Sequence, residues 1–410
     1  MTIERRTFLK GVGAYCAISL IPHRAAGAAP VEPGIPVLVH YCNWHEKFGD
    51  HSSWHTATTL PLYSDGFCVV DSRDPVGSDC FNGYLSLDRA TIQHHNAQFA
   101  ANGLVPLISW WGRVGTINER SGDLFFDLYF QTPSSVKAGL LYEATSLLRE
   151  TPQPVGPGYF DFGEDATSEN AQRFISDLQY LNEKYFKRYP ERVFTIDGRP
   201  VVFIWISQAF KGRFDLAVAQ VRRTVPVYII GSNFNLSGGF GSDLLDTVRG
   251  LDAVSSYGIY DGNLATRYHG HMSREYVDLY ALSVIRWNTW LRENAPTVKL
   301  ILPTQFTYHD NHGSALMEQT TPAEARYLAE MARALIDQGR AGCTNVAPFD
   351  LHVSYNEHFE GTSVEPSRRN RISFETNDLK LGPDYNDEFL KILREVFSRP
   401  LAPVPDICVP

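Results

Sequence analysis

The sequence predicts an α/β protein built as a (β/α)8 (TIM) barrel, a single domain with elaborated loops. From residue 36 onward, short β-branched or apolar runs alternate with longer amphipathic stretches, which is typical of repeated βα units around a parallel sheet. The first of these runs is followed by polar and aromatic residues, Tyr41 to His45. A glycine-rich turn would be expected there in a dinucleotide-binding sheet, so a closed barrel is favoured.

Seven predicted strands are visible as apolar runs, and an eighth is expected in the weaker stretch between residues 113 and 200. The seven are Pro36 to Tyr41, Val105 to Trp110, Val201 to Ile206, Val227 to Gly231, Ala253 to Tyr257, Leu300 to Thr304 and Leu351 to Tyr355. In a (β/α)8 barrel the carboxyl ends of all strands meet at one face. We therefore expect the polar and aromatic residues at these strand ends to form one pocket.

Helices are predicted between the strands, where apolar residues recur at intervals of three and four. The predicted helices are Leu87 to Asn102, Ser134 to Arg149, Asn170 to Phe186, Phe214 to Arg223, Arg274 to Glu293, Pro322 to Gln338 and Asp387 to Phe397. The sixth has a clear start signal in Thr321-Pro322-Ala323-Glu324, with threonine at the cap and proline in the first turn.

The N-terminus resembles a twin-arginine export signal. Arg5-Arg6 precedes an apolar stretch from Val12 to Ile21, which is too short to span a bilayer, where about 20 residues are needed. Ala26-Gly27-Ala28 then supplies the small residues that a signal peptidase requires. We predict cleavage after Ala28, a single (β/α)8 domain over residues 29–410, a periplasmic or secreted location and no stable membrane insertion.

Charge and composition narrow the possible partners. The predicted leader carries four basic residues and one acidic residue, so its removal takes the net charge from −9 to −12. Because such a chain repels polyanions, nucleic acid is excluded as a partner. Aromatic residues make up 12% of the chain. Aromatic rings suit the apolar faces of sugars, although an aromatic core gives the same composition.

Five cysteines remain in the predicted mature chain: Cys42, Cys68, Cys80, Cys343 and Cys408. An odd number leaves at least one without an intrachain partner, and a short Cys68–Cys80 bridge is left open. The sequence contains no Cys-x-x-Cys spacing, so it gives no support for a structural zinc site. We expect no metal and no cofactor.

The strongest candidates for chemistry are two acids, Glu357 and Glu360, that directly follow the last predicted strand. Cleavage of a glycosidic bond needs a proton for the departing oxygen and a second carboxylate that helps to form the transition state. Burial beside Phe359 would keep one acid protonated near neutral pH. Two surface glutamates three residues apart are the simpler alternative.

The segment Ser354-Tyr355-Asn356-Glu357-His358-Phe359-Glu360-Gly361-Thr362-Ser363-Val364-Glu365-Pro366 resembles the Asn-Glu-x-x-Glu-Gly-Thr-x-x-Glu-Pro signature of glycoside hydrolase family 99, the endo-α-mannosidases and endo-α-1,2-mannanases. A second block is similar to the family's early helix and Ser-Trp-Trp strand end. It comprises Gly83 to Asp88, then Ile92 and His94, and Gly103 to Gly112. Together with weaker matches, the resemblance extends from about residue 36 to residue 366.

The resemblance implies roles for the matching residues. Glu360 aligns with the general acid, and Glu357 with the carboxylate that deprotonates the 2-hydroxyl of the sugar to give a 1,2-anhydro sugar and overall retention. The implied sugar-binding residues are Tyr41, Trp110, Trp111, Asn356 and one of Tyr257 and Tyr260. The implied substrate is an α-mannan-like or other polysaccharide.

Two departures from the family pattern leave the sugar and its linkage open. Ser53-Trp54-His55 is the nearest candidate for the usual His-Trp-Asn, and Phe359 stands where histidine is usual. Endo or exo action and the oligomeric state also stay open.

Two other functions are compatible with the sequence. One is a non-catalytic glycan-binding protein on the same barrel. The other is a metal-dependent esterase or deacetylase that uses His309, Asp310 and His312, although such histidine-rich loops are more often hydrogen-bonded rims. Asp252 and Glu365 lie near the motif blocks, and we expect them to give structural support.

Overall fold

The computed structural model describes residues 34–43, 45–46, 55–56, 86–111, 117–144, 146–150, 158–236, 239–241, 244–259, 273–306, 320–356, 364–365 and 387–401, without the side chains of 45–46, 55–56 and 117–121. The chain divides into two compact units, Met1–Pro33 and Gly34–Pro410. Every described residue belongs to the second unit. The predicted leader and its cleavage site therefore lie outside the described residues.

Eight parallel strands close into a barrel in the order of the sequence. They are β1 (Val37–Tyr41), β2 (Leu104–Trp110), β3 (Gly139–Tyr142), β4 (Arg199–Ile204), β5 (Tyr228–Ser232), β6 (Ala253–Ser255), β7 (Lys299–Thr304) and β8 (Val346–His352). Each strand pairs with its neighbours in sequence, and β8 pairs with β1 to complete the ring. The predicted (β/α)8 fold is confirmed.

Helices cover the outside of the barrel. They are α1 (Arg89–Asn102), α2 (Ile117–Gln131), α3 (Glu169–Leu181), α4 (Phe214–Arg222), α5 (Leu244–Val248), α6 (Arg274–Asn294), α7 (Pro322–Arg340) and α8 (Glu388–Phe397). The start signal of α7 is confirmed, because Thr321 and Glu324 form a reciprocal capping box behind Pro322. None of the described helices is long and apolar enough to cross a membrane.

Two sequence predictions are wrong at the level of secondary structure. The helix predicted over Ser134 to Arg149 is replaced by strand β3, whose four residues are all buried. A Cβ atom at Gly139, the first residue of that strand, would lie 2.6 Å from Cδ2 of Leu107 in β2, so glycine lets the Leu107 side chain pack there without shifting. The last strand, predicted over Leu351 to Tyr355, begins at Val346 and ends at His352.

The barrel interior is filled by residues from alternate positions of each strand, such as Leu38, Leu107, Leu141, Phe203 and Ile230. Burial of this apolar surface stabilises the barrel by about 25 cal/mol per Å² removed from water. The filled interior leaves ligand binding to the mouth at the carboxyl ends of the strands.

Candidate active site

The alternation of side chains along each strand decides which strand-end residues point into the mouth. Residues two positions apart share a face, so Ser109 faces inward like Leu107, and Glu143 faces inward like Leu141. Trp205 is partly buried and packs against the interior cluster directly. The mouth therefore carries a carboxylate, a hydroxyl and an aromatic ring from three successive strands.

Glu143 is a candidate site residue that the sequence interpretation missed. It follows β3 directly and is buried, and its carboxylate accepts a hydrogen bond of 2.7 Å from the Ser109 hydroxyl. The amide of Asn43 in turn donates to the backbone carbonyl of Ser109 at 2.9 Å. The signal was hidden because Glu143 fell within a predicted helix rather than at a strand end.

An aromatic floor lies on the other side of the mouth. The ring of Tyr257 stacks on His40 at 5.0 Å between centroids and meets Trp205 edge-on at 6.1 Å. The hydroxyl of Ser232 accepts a hydrogen bond from the backbone N–H of Tyr257. Tyr257 and Trp205 are only partly buried, so their rings offer faces that suit a sugar.

His40 lies beneath this floor as a neutral imidazole. It is completely buried, and burial followed by the nearby His352 lowers its pKa from 6.5 to about 3. Neither of its ring nitrogens has a hydrogen-bond partner among the described residues. His40 therefore adds polarity without charge to the floor of the mouth.

Two of the predicted sugar contacts point away from the mouth. Tyr41 and Trp110 occupy the outward positions of β1 and β2 and are completely buried. The Tyr41 ring packs edge-on against Phe99 of α1. The Trp110 indole N–H donates to Asp123 of α2 at 3.3 Å. Neither ring exposes a face to a ligand, because both fill the layer between barrel and helices.

Trp111 is the more exposed member of the tryptophan pair. It is partly buried, and its backbone N and indole Cδ1 lie against Gly122 of α2. Among the predicted sugar contacts that the structure describes, Trp111 and Tyr257 keep some exposure.

The segment that contains both predicted acids begins and ends at the mouth. Asn356 follows β8, and its amide makes two hydrogen bonds to the backbone of Cys42 at the end of β1, 2.7 Å from the Cys42 N–H and 2.8 Å to the Cys42 carbonyl. The chain returns at Val364, whose N–H donates to the carbonyls of Ser354 and Tyr355. Glu357, Glu360 and Tyr260 themselves lie outside the described residues.

The remaining predictions concern metal binding, the cysteines and the structural role of Asp252. The described residues contain no group of side chains that could hold a metal ion, and the predicted His309 loop lies outside them. Cys343 is disulfide-bonded, whereas Cys68 and Cys80 lie outside the described part of the chain. Asp252 joins two arginines at the opposite end of the barrel, Arg199 at 2.7 Å and Arg222 at 2.5 Å, which agrees with a supporting role.

These features define a (β/α)8 barrel protein whose mouth presents acidic, hydroxyl and aromatic side chains. The fold is similar to that of the GH99 endo-α-mannosidase of Bacteroides thetaiotaomicron. Its complex with bis-tris propane gives a TM-score of 0.53 at 17% identity, over 88% of this chain and 96% of that chain. A second structure of that enzyme gives a TM-score of 0.53 at 18% identity, over 89% and 97%.

The resemblance to glycoside hydrolase family 99 is therefore confirmed at the level of the fold. No protein-family model matches the chain. A comparison with curated protein sequences also finds no match.

Proposed function

We propose that the protein is an exported, retaining glycoside hydrolase that cleaves internal bonds of an α-mannan-like or other polysaccharide and needs no cofactor. The observation that carries this proposal is the position of the segment between Asn356 and Val364. Both of its ends are held at the barrel mouth, beside Cys42 and Tyr355. Active sites of (β/α)8 enzymes are built at this face.

The proposed chemistry divides the work between the two acids of that segment. Glu360 protonates the departing glycosidic oxygen while Glu357 removes the proton of the 2-hydroxyl. The freed oxygen attacks C1, so the bond from C1 to the leaving sugar breaks as the 1,2-anhydro ring forms. Water then attacks C1 and gives a proton to Glu360, the C1–O2 bond breaks, and Glu357 returns its proton to O2, so the two displacements retain the configuration.

The described residues of the mouth supply the binding part of the proposal. Glu143 accepts hydrogen bonds from sugar hydroxyls, with its position fixed by Ser109. Tyr257, Trp205 and Trp111 stack against sugar faces, because these aromatic residues lie at strand ends and are only partly buried. Asn356 holds the chain beside Cys42 and acts on the sugar through the segment that follows it.

The test is oligosaccharide release from a panel of α-mannans and other bacterial polysaccharides, with the anomeric configuration followed by NMR. Glu357→Gln and Glu360→Gln should each abolish turnover and leave ligand binding and the melting temperature largely unchanged. Glu191→Gln is the matched control, because Glu191 is exposed and lies between α3 and β4, at the other end of the barrel.

Each alternative result has its own meaning. Wild-type rates in both variants would remove the catalytic assignment. A first product of inverted configuration would contradict the anhydro-sugar mechanism. A polysaccharide that binds but is never cleaved at high protein concentration would favour the non-catalytic glycan-binding protein.

Export is supported by two independent features of the chain. The N-terminus carries the paired arginines and small residues of a twin-arginine leader. Cys343 is disulfide-bonded, and disulfides persist mainly in oxidising compartments such as the periplasm. N-terminal sequencing of the mature protein should give Ala29 as the first residue, and an intact Met1 would refute export by this leader.

A further inference from the structure

Three buried polar side chains form a hydrogen-bonded triad that links β1, α1 and Glu365, which lies five residues after the second predicted acid. The Tyr41 hydroxyl lies 2.7 Å from Nδ1 of His95, and Nε2 of His95 lies 3.0 Å from a carboxylate oxygen of Glu365. The side chains of His95 and Glu365 are each only 1% exposed. An ionised group at such a depth persists only where it is paired and hydrogen-bonded.

The hydrogen-bonding capacities of the three groups match. The geometry allows the Nε2–H of His95 to donate to Glu365 while its Nδ1 accepts from the Tyr41 hydroxyl. Burial, followed by the charge of Glu365, raises the pKa of Tyr41 well above its ordinary value, so its hydroxyl keeps its proton. Each of the three groups thus has a partner of the opposite hydrogen-bonding kind.

Aromatic rings enclose the Tyr41–His95–Glu365 triad on several sides. Tyr355 meets His95 edge-on at 5.4 Å and Phe99 at 4.7 Å, and Phe99 also lies edge-on to Tyr41. Apolar walls exclude water, and a hydrogen bond in such surroundings is stronger than the same bond at the surface. These buried hydrogen bonds therefore fix the position of Glu365 more firmly than an exposed ion pair would.

Glu365 is also tied to the barrel through its backbone. Its N–H donates to the Tyr355 carbonyl at 2.9 Å, beside the bond from Val364 to the same carbonyl. On the other side of the segment, the amide of Asn356 is bonded twice to Cys42. The seven residues between Asn356 and Val364, which include both predicted acids, thus begin and end on anchored residues.

We propose that Tyr41, His95 and Glu365 form a positioning unit that fixes the chain directly after the acid-bearing segment, and that the proposed chemical step depends on this anchor. This proposal rests on the proposed glycoside hydrolase activity. Positioning acts on the chemical step, since displacement of a reacting group by about 1 Å can lower a rate about 100-fold. The three residues touch no substrate and act through the segment.

A graded set of variants separates positioning from general stability. His95→Phe removes both hydrogen bonds, and His95→Gln keeps a donor that can reach Glu365 but loses the acceptor for Tyr41. Asp252→Asn is the destabilised control, because it weakens the pairing with Arg199 at the opposite end of the barrel. For each protein we would measure kcat, KM, thermal unfolding and amide hydrogen exchange of peptides that cover residues 354–365.

For His95→Phe, measured at a temperature where the variant is fully folded, we expect kcat to fall about 10- to 100-fold. KM should change by less than about threefold. His95→Gln should lose only a few-fold. Amide exchange should rise in peptides from 354–365 and stay unchanged in peptides from α7. Asp252→Asn should lower the unfolding temperature and leave kcat and exchange at 354–365 as in the wild type.

The proposal is overturned if His95→Phe keeps kcat within about twofold of the wild type, or if Asp252→Asn lowers kcat as much at an equal loss of stability. It is also overturned if exchange at 354–365 is as fast in the wild type as in His95→Phe. A wild-type protein that cleaves no polysaccharide would refute the proposed activity instead. The exchange measurement would still show whether the unit holds the segment.

Discussion

Asp350 provides a test of the packing between the barrel and its helices. The residue lies in β8 and is completely buried, and one of its carboxyl oxygens accepts a hydrogen bond of 2.7 Å from the Thr304 hydroxyl. The other oxygen has no hydrogen-bond partner among the described residues. Burial raises the pKa of this carboxyl from 3.8 to about 8, and the bond from Thr304 only partly opposes the shift.

The titratable groups around Asp350 stay neutral. Burial lowers the pKa of His352, which shares the Thr304 hydroxyl at 2.9 Å, to about 3. Burial, and then the charge of Asp350, raises the pKa of Tyr280 on α6 well above its ordinary value. Neither side chain supplies a positive charge, so the folded protein keeps the Asp350 carboxyl protonated at neutral pH.

The sign of the pH dependence follows from the two pKa values. Between pH 3.8 and about 8 the folded state holds a proton that the unfolded state has lost. The stability contribution of Asp350 is therefore fully present below pH 3.8 and is lost as the pH rises to about 8. The loss is about 1.4 kcal/mol per pH unit, or about 2.7 kcal/mol between pH 5 and pH 7.

Asp350→Asn removes this titration and keeps an oxygen that can accept from Thr304. We expect the stability of the variant relative to the wild type to increase by about 2.7 kcal/mol from pH 5 to pH 7, whatever the offset at pH 5. Urea unfolding followed by tryptophan fluorescence measures this difference. Asp165→Asn is the control, because hydrogen bonds from Thr167 lower the pKa of Asp165 and its titration ends below this range. A difference between Asp350→Asn and wild type that stays constant within about 0.5 kcal/mol would refute the reasoning.

Four further predictions concern the mouth, the disulfide and the independence from metal ions. Glu143→Gln should lower kcat/KM about 10-fold or more without changing the unfolding temperature, measured by initial rates on the substrate identified above. Asn356→Asp should destabilise the protein by about 3 kcal/mol at neutral pH, because a carboxylate opposes the Cys42 carbonyl, and it should recover as acid restores a donor. Reduction of the Cys343 disulfide should lower the free energy of unfolding by about 2–5 kcal/mol in urea titrations with and without dithiothreitol. EDTA should leave glycan cleavage unchanged, and lost activity that zinc restores would instead favour the esterase alternative.

Most of the barrel was predictable because its strands are apolar runs bounded by helix signals. Strand β3 was not, because Gly139–Tyr142 is a short run buried on both faces, and such a run has no period that distinguishes it from a buried helix. Helix α2 (Ile117–Gln131) was likewise hidden in the stretch where the pattern is weak.

The early start of β8 was hidden by Pro348 and Asp350, residues that are unusual in a central strand. The pairing with β7 shifts register between Leu300 and Leu302, so that Leu300 faces Val346 and Leu302 faces Asp350. The irregularity accommodates Pro348, since a bulge needs no ladder hydrogen bond from every residue.

The candidate site was predictable as a position in the chain but not as an orientation. Tyr41 and Trp110 were expected at the mouth because each ends a strand, yet both side chains face the helices. A shift of one residue along a strand moves a side chain to the other face. The same rule brings Ser109 and Glu143 inward, and neither stood out from its residue type alone.

At two strand ends, the mouth is built from consecutive residues of which one faces the mouth and the other faces a helix. Glu143 faces inward, whereas Tyr142 before it donates to Asp177 of α3 at 2.8 Å. Ser109 faces inward, whereas Trp110 after it is fixed by Asp123 of α2. A rigid outward partner limits the directions available to its inward neighbour through the shared backbone. The helix layer therefore limits where the acid and hydroxyl groups of the mouth can point, and the buried aromatic residues shape the mouth from outside it.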